Sequence, residues 1–340
     1  MKPKQAFSSG QQIKSWLELN CMTNALPTER EEKAVGAQGQ KPPAVTCVAD
    51  SQDNLGEGCL WDATTQCLWW LDIARPSRIH RLSPATGEHR IWHSAVLLTA
   101  IAKRIRGGFV LAGEDGLYVF DPSTGVIKPF AFPQPENSGN RFNDGACDAQ
   151  GRFFVGTMMQ NIGPAGEDLP ITDATGVLYR VGAKGKSEVM EGGIGVFNGP
   201  CWSPDGGTFY FSDSSNQVIF AYDYDAANGA ISNRRVFNDS KAHGYPDGAT
   251  VDAEGFLWSA RWDGASVLRI DPKGRIDRIV PMPATRPTAV CFGGPRLDVM
   301  YVTSSRAHIG SDVLSRYPLQ GGLFCFDPGV SGFEKHSFSG

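Results

Sequence analysis

No apolar run in this 340-residue chain is long enough to span a bilayer. No long stretch of Lys or Arg occurs either, and 32 basic against 36 acidic residues leave a net charge of −4. Nucleic acid and membrane are therefore excluded as partners. Gln, Ser, Lys and Glu interrupt every apolar stretch of the first 42 residues, so no signal peptide is read there. Residues 1–44 read as a polar N-terminal extension, disordered or loosely attached, and the cytoplasm is the default location. The eight cysteines form no Cys-x-x-Cys pair, and most lie in apolar strand patterns such as Val290-Cys291-Phe292. They read as buried reduced thiols, not as zinc ligands or a disulfide framework. No segment after residue 45 sustains an apolar period of 3.6, which predicts little helix.

Several catalytic motifs are missing too. There is no Gly-x-Ser-x-Gly elbow, against a serine esterase of the α/β-hydrolase type. Gly185-Lys186-Ser187 mimics the end of a phosphate-binding loop, but Arg180 stands where the loop needs glycine. No acidic calcium loop of the helix–loop–helix type is present. His89 and His93 flank a strand-like Arg90-Ile91-Trp92 and read as surface residues.

What the chain does have is a repeat. A short apolar strand runs into a polar, glycine-containing turn at Ile79–Leu82, Leu117–Phe120, Leu178–Val181, Phe220–Tyr224, Val267–Ile270 and Leu323–Phe326. From Gly87 to Gly329 is 242 residues over five intervals, or about 48 per unit. A second strand precedes each, as in Cys67–Asp72, Phe153–Gly156 and Leu257–Ala260, several after an Asp-x-x-Gly turn such as Asp252–Gly255. Units of this size, each with several short strands, predict an all-β, six-bladed β-propeller over residues 45–340 as a single domain. Val45–Val48 is a strand with no hairpin partner nearby. It is expected to pair with the C-terminal blade and so close the ring, hiding the edges an open sheet would leave. An open solenoid is the alternative.

A propeller has an axis, and equivalent positions on its innermost strands face one channel. Aligning the segments that open each unit puts Glu57, Thr99, Asn143, Asn198, Asp247 and Thr288 in register, with steps of 42, 44, 55, 49 and 41 residues. Glu57, Asn198 and Asp247 are thereby expected to converge near the axis, with Asn143 and Asp144 on a fourth side. Two carboxylates in one channel repel each other unless a cation or a proton lies between them. Glu, Asn and Asp supply hard oxygen ligands suited to one divalent metal ion, Ca²⁺, Mg²⁺ or Mn²⁺, with Zn²⁺ and Fe²⁺ also open. The same residues before glycine would also serve simple turns at blade entrances, and spacing alone does not separate the two readings.

At these residues the chain resembles the regucalcin/gluconolactonase family of six-bladed propeller lactonases, over roughly residues 50–330. The motifs are Gly56-Glu57-Gly58-Cys59-Leu60-Trp61, Asn140-Arg141-Phe142-Asn143-Asp144-Gly145 with Gly156-Thr157-Met158, Asn198-Gly199, and Pro246-Asp247-Gly248 with Asp252–Gly255. The resemblance implies that Glu57, Asn198 and Asp247 bind one divalent metal, that Arg141 and Asn143 hold the substrate, and that Asp247 is also the general base. It implies hydrolysis of a sugar-acid lactone (an aldonolactone) to the aldonic acid. A calcium-dependent propeller esterase or phosphotriesterase, and a non-catalytic metal- or ligand-binding propeller, are the alternatives. Asp144 is expected to serve a turn. Where some members carry a substrate-touching glutamate after Gly-Thr-Met, this chain has Asn161. Residues 163–173, which should form part of the mouth, follow no pattern of the family, and both differences point to a sugar other than gluconate's.

Overall fold

The computed structural model describes residues 42–136 and 138–340. The expected N-terminal extension therefore lies, up to residue 41, outside the described residues. The rest forms six four-stranded antiparallel sheets, five of them built from four strands consecutive in sequence. Their first strands, Gly56–Asp62, Leu98–Lys103, Asn140–Cys147, Phe197–Trp202, Tyr245–Val251 and Pro287–Gly293, define blades one to six. Each of these strands packs against the first strands of both neighbouring blades, so the six close a ring around one axis. The fold is a six-bladed β-propeller. In blade six, Thr46–Ala49 pairs antiparallel with Leu323–Phe326, Thr46 opposite Cys325, and provides the fourth strand.

Burial grades from axis to rim as composition dictates. Every residue of Cys67–Asp72, the second strand of blade one, is buried, whereas the rim strand His89–Ser94 is mostly exposed. The core is the set of wedges between blades. Phe154, Phe197, Phe209 and Phe211 fill one, and Trp258, Val290, Phe292 and Phe324 another. Each such side chain contributes about 1.5–3 kcal/mol by leaving water. Helix is confined, among the described residues, to Ser311–Arg316 and a 3₁₀ turn at Lys241–His243, both near the face where the inner strands begin. That face is the front; the inner strands end at the rear.

Candidate active site

All six inner strands break register with their neighbours near their front ends. The irregularity falls between Glu57 and Leu60, Leu98 and Ala100, Phe142 and Gly145, Asn198 and Cys201, Pro246 and Ala249, and Pro287 and Val290. A bulge sets two residues against one and re-aims side chains that regular pleating would send into the wedges. This is the local reason for the polar-then-glycine pattern. Gly58 and Gly199 follow Glu57 and Asn198 with φ of 63° and 58°. A side chain at Gly199 would meet the Asp247 carbonyl at 2.8 Å besides straining that backbone.

A chain of hydrogen bonds joins blades three, four and five. Arg141 donates from Nε to Asn161 Oδ1 (2.8 Å) and from Nη1 to Asn143 Oδ1 (2.6 Å). Asn143 Nδ2 donates to Asn198 Oδ1 (2.8 Å) and to the Phe197 carbonyl (2.9 Å). Asn198 Nδ2 donates to Ser214 Oγ (2.8 Å), whose hydroxyl donates to the Pro246 carbonyl beside Asp247 (2.6 Å). Both amides are thus fixed in orientation, and Asn198 Oδ1 keeps a lone pair for a further partner.

The carboxylates share one field. Burial, then Asp247, then Asp144 push the Glu57 carboxyl well above its ordinary range. Burial and Asp144 do the same to Asp247, against a Gly248 N–H and the Arg261 charge. Asp144 is also raised by burial. It does not serve a simple turn: it accepts from its neighbour Gly145 N–H (2.7 Å) and, across the blade boundary, from Gly199 N–H (2.8 Å). Arg141 is 2% exposed, and burial lowers its guanidinium to about 10 although Glu57 favours the charge. Sequence reading passed over Arg261, which is wholly buried beside Asp247 and donates only to the carbonyls of Ser240, His243 and Gly244. Its signal, an arginine within an apolar strand opposite Pro246, was present at Trp258–Trp262.

Both faces are covered. Residues 163–173 reach from blade three over the front. The Gly163 carbonyl accepts from Arg75 Nε (2.9 Å) in blade one, and Asp168 pairs with His308 (2.7 Å) in blade six. At the rear, the C-terminal segment is tied by backbone bonds to Ala253, Leu297, Lys103, Ile105 and Gly151, one or more from each of blades five, six, two and three. Lys335 on this strap is half-buried and donates to the Cys59 carbonyl (3.1 Å). Burial opposes its charge, but Cys59, Cys291, Asp144 and Cys201 hold the ammonium above its ordinary range. Nothing in the sequence singled it out.

Fold and site together define a propeller whose inner strands bring acidic side chains into one another's field, with a lysine of the C-terminal strap behind them. The chain belongs to the SMP-30/gluconolactonase/LRE-like family, whose model matches residues 55–306. It is 34% identical over 296 residues to 6-deoxy-6-sulfogluconolactonase of Pseudomonas putida, covering 86% of this chain and 98% of that one. It is 36% identical over 262 residues to a pentonolactonase of Haloferax volcanii, covering 77% and 85% respectively. Among solved structures, regucalcin of Agrobacterium tumefaciens, described as a calcium-binding protein, superposes with a TM-score of 0.80 at 30% identity, covering 87% of this chain and 98% of its own.

Proposed function

We propose that this protein is a metal-dependent lactonase that hydrolyses a sugar-acid lactone to the aldonic acid. The observation that carries the reading is the pair of carboxylates, half-buried Glu57 and buried Asp247, brought from different blades into one another's field beside a hydrogen-bonded Arg141. A scaffold has no use for such an arrangement, since converging buried carboxylates destabilise the fold that holds them. Two relatives are named for sugar-lactone hydrolysis, in agreement with the chemistry of the pocket.

The donor set fits a divalent cation. Two carboxylates and an amide oxygen with a spare lone pair are hard ligands, and the mutual repulsion of the carboxylates is what a cation relieves. Glu57, Asn198 and Asp247 would hold it, and when bound it supplies Lewis-acid polarisation of the lactone carbonyl. Asp247 accepts the proton of the attacking water at a carboxylate oxygen. As the bond between carbonyl carbon and ring oxygen breaks, it returns that proton to the ring oxygen, leaving the open-chain hydroxy acid. Arg141, held by Asn161 and Asn143, presents its remaining amine to the substrate, and Asn143 and Asn161 fix its plane. No covalent nucleophile is required.

The test is a panel of aldonolactones, aryl esters and phosphotriesters, with proton release followed before and after chelation. Lactone turnover that chelator abolishes and added cation restores is the expected result. Turnover indifferent to verified metal removal would remove the cation from the mechanism. Preference for esters or phosphotriesters, or cation binding without hydrolysis, would replace the lactonase reading by one of its alternatives.

A further inference from the structure

The front segment that begins at Asn161 folds back on itself as a short hairpin. Leu169 N–H donates to the Asn161 carbonyl (3.0 Å), Ile162 and Asp168 pair as an antiparallel bridge, and Gly163 N–H donates to the Glu167 carbonyl (2.7 Å). Gly166 closes the turn at φ 83°, its N–H donating to the Gly163 carbonyl (2.9 Å). Every residue from 164 to 175 is exposed, so the hairpin has no core of its own. A two-stranded hairpin without a packed face is marginal in water, and this one must be held from outside.

Side chains of two other blades hold it, unequally. Asp168 meets His308 of blade six, but the two side chains are 58% and 56% exposed, where an ion pair contributes little. Arg75 of blade one is more sheltered, at 19% exposure, and uses all three of its nitrogens. Nη1 and Nη2 donate to Glu114 Oε1 (3.2 Å) and Oε2 (2.5 Å) of blade two, and Nε donates to the Gly163 carbonyl (2.9 Å). The fork on Glu114 fixes the guanidinium plane and so aims Nε at the hairpin. Two residues before Gly163 stands Asn161, whose carbonyl belongs to the hairpin and whose Oδ1 accepts from Arg141 Nε (2.8 Å). Arg141 is otherwise held through Nη1, by Asn143 Oδ1 (2.6 Å) and the Phe142 carbonyl (2.9 Å). Bonds at Nη1 alone would let the guanidinium swing about that nitrogen, and the bond from Nε to Asn161 stops it. We propose that Arg75 is a positioning residue for the reaction: clamped by Glu114, it fixes the hairpin, and through Asn161 it sets the plane in which Arg141 meets the substrate. The proposal rests on the lactonase reading and deepens it, since a side chain of blade one then governs recognition on blade three.

The test follows kcat/KM of cation-loaded protein on the aldonolactone that the wild type hydrolyses fastest, from a panel that includes D-galactono-1,4-lactone and D-glucono-1,5-lactone. Arg75→Gln and Asn161→Ala are each expected to lower kcat/KM by about tenfold, the size of one charged hydrogen bond. Glu114→Gln weakens the fork without touching the hairpin and should lose less, about threefold. The double variant Arg75→Gln/Asn161→Ala should lose no more than the worse single one, because both changes act through the same bond. Should Arg75→Gln not fold, Glu114→Gln paired with Asn161→Ala carries the same cycle. Amide hydrogen exchange gives a readout without turnover. Leu169 N–H should exchange about tenfold faster in Arg75→Gln, with the inner-strand amides at the wild-type rate. Losses that multiply to about a hundredfold in the double variant would overturn the proposal and leave the lactonase reading standing. Unchanged kcat/KM in folded Arg75→Gln, or Leu169 exchange that does not move, would do the same. A wild type that hydrolyses no lactone would end the lactonase reading, and Leu169 exchange would then decide the clamp alone.

Discussion

At the front of the inner strands stand Glu57, Asn143, Asn198 and Asp247; two or three residues further along the same strands stand Cys59, Ala146, Cys201 and Ala249. That step is roughly 7–10 Å toward the rear. The front half is held out of regular pairing by bulges and keeps polar side chains on the axis at the cost of burying charge. The rear half returns to regular pairing and fills the axis with small, weakly polar side chains, closed by one lysine from the C-terminal strap. Burial pushes the Cys201 thiol up to about 12 and Cys291 well above its ordinary range, Lys335 opposing in both. Those two thiols stay protonated and behave as packing groups, whereas Cys59, although burial opposes it, is drawn below its ordinary value by its hydrogen bond with Cys291 and by Lys335. One backbone scheme thus serves two purposes, and the bulge is the boundary. Chemistry is expected to fail when the front is changed, and only stability when the rear is.

The sharpest way to break this division is Asp247→Asn. The amide keeps shape and one oxygen but cannot take a proton. With the fold checked by circular dichroism, kcat should fall about 10²–10⁴-fold. Near-native turnover would pass the role of base to Asp144, whose carboxyl is next in the channel.

Glu57→Gln comes second and is read through pH. In the cation-free protein the raised Glu57 carboxyl binds a proton that the unfolded chain has already released. Its contribution is fully present below the unfolded value of about 4 and is lost as pH rises through the higher folded value. The thermal midpoint of chelated wild type should therefore fall with rising pH above about 4, and Glu57→Gln should flatten that fall. Added cation should raise the midpoint most at the alkaline end, because its ligands must be deprotonated. A variant as steep as wild type would place the charge penalty elsewhere.

The division was half legible in the sequence. Periodic strands with glycine turns carry the propeller, because blade geometry is local and each unit repeats it. Residues 57, 143, 198 and 247 could be put in register because the polar-then-glycine pair marks a bulge whichever blade it lies in. Asn161 sits three residues past a recognisable Gly-Thr-Met, so its departure from the family pattern was visible, although its bond to Arg141 was not. What stayed hidden depends on distant chain crossing. The strap that carries Lys335 reaches the axis only through bonds to four blades, and the bridge from Asp168 to His308 spans blades three and six. No local pattern encodes either. Asp144 was read as a turn residue because Asn-Asp-Gly is turn chemistry; its bond to Gly199 N–H lies 55 residues away.

Lys335→Met should have the smallest effect on catalysis and tests the boundary from the other side. Methionine is close in length, so the stem can stay along the strap while the ammonium and its bond to the Cys59 carbonyl are lost. A charged hydrogen bond is worth about 1.5–3 kcal/mol when sheltered, and less here because the side chain is only half-buried. Stability should therefore fall by about 1 kcal/mol, read from the denaturant midpoint. The effect on chemistry must pass through Asp144, whose carboxyl Lys335 draws down against burial. Without the ammonium that carboxyl rises further and is more often neutral, which relieves Asp247 of part of the repulsion that raises it. The change at Asp247 is thus indirect and toward a lower value, the opposite of disabling the base. Turnover should stay within about threefold of wild type, with the acid limb of its pH profile moved slightly to lower pH. A loss comparable to that of Asp247→Asn would show that the rear lysine is part of the reacting field, and the bulge would no longer be the boundary of the site.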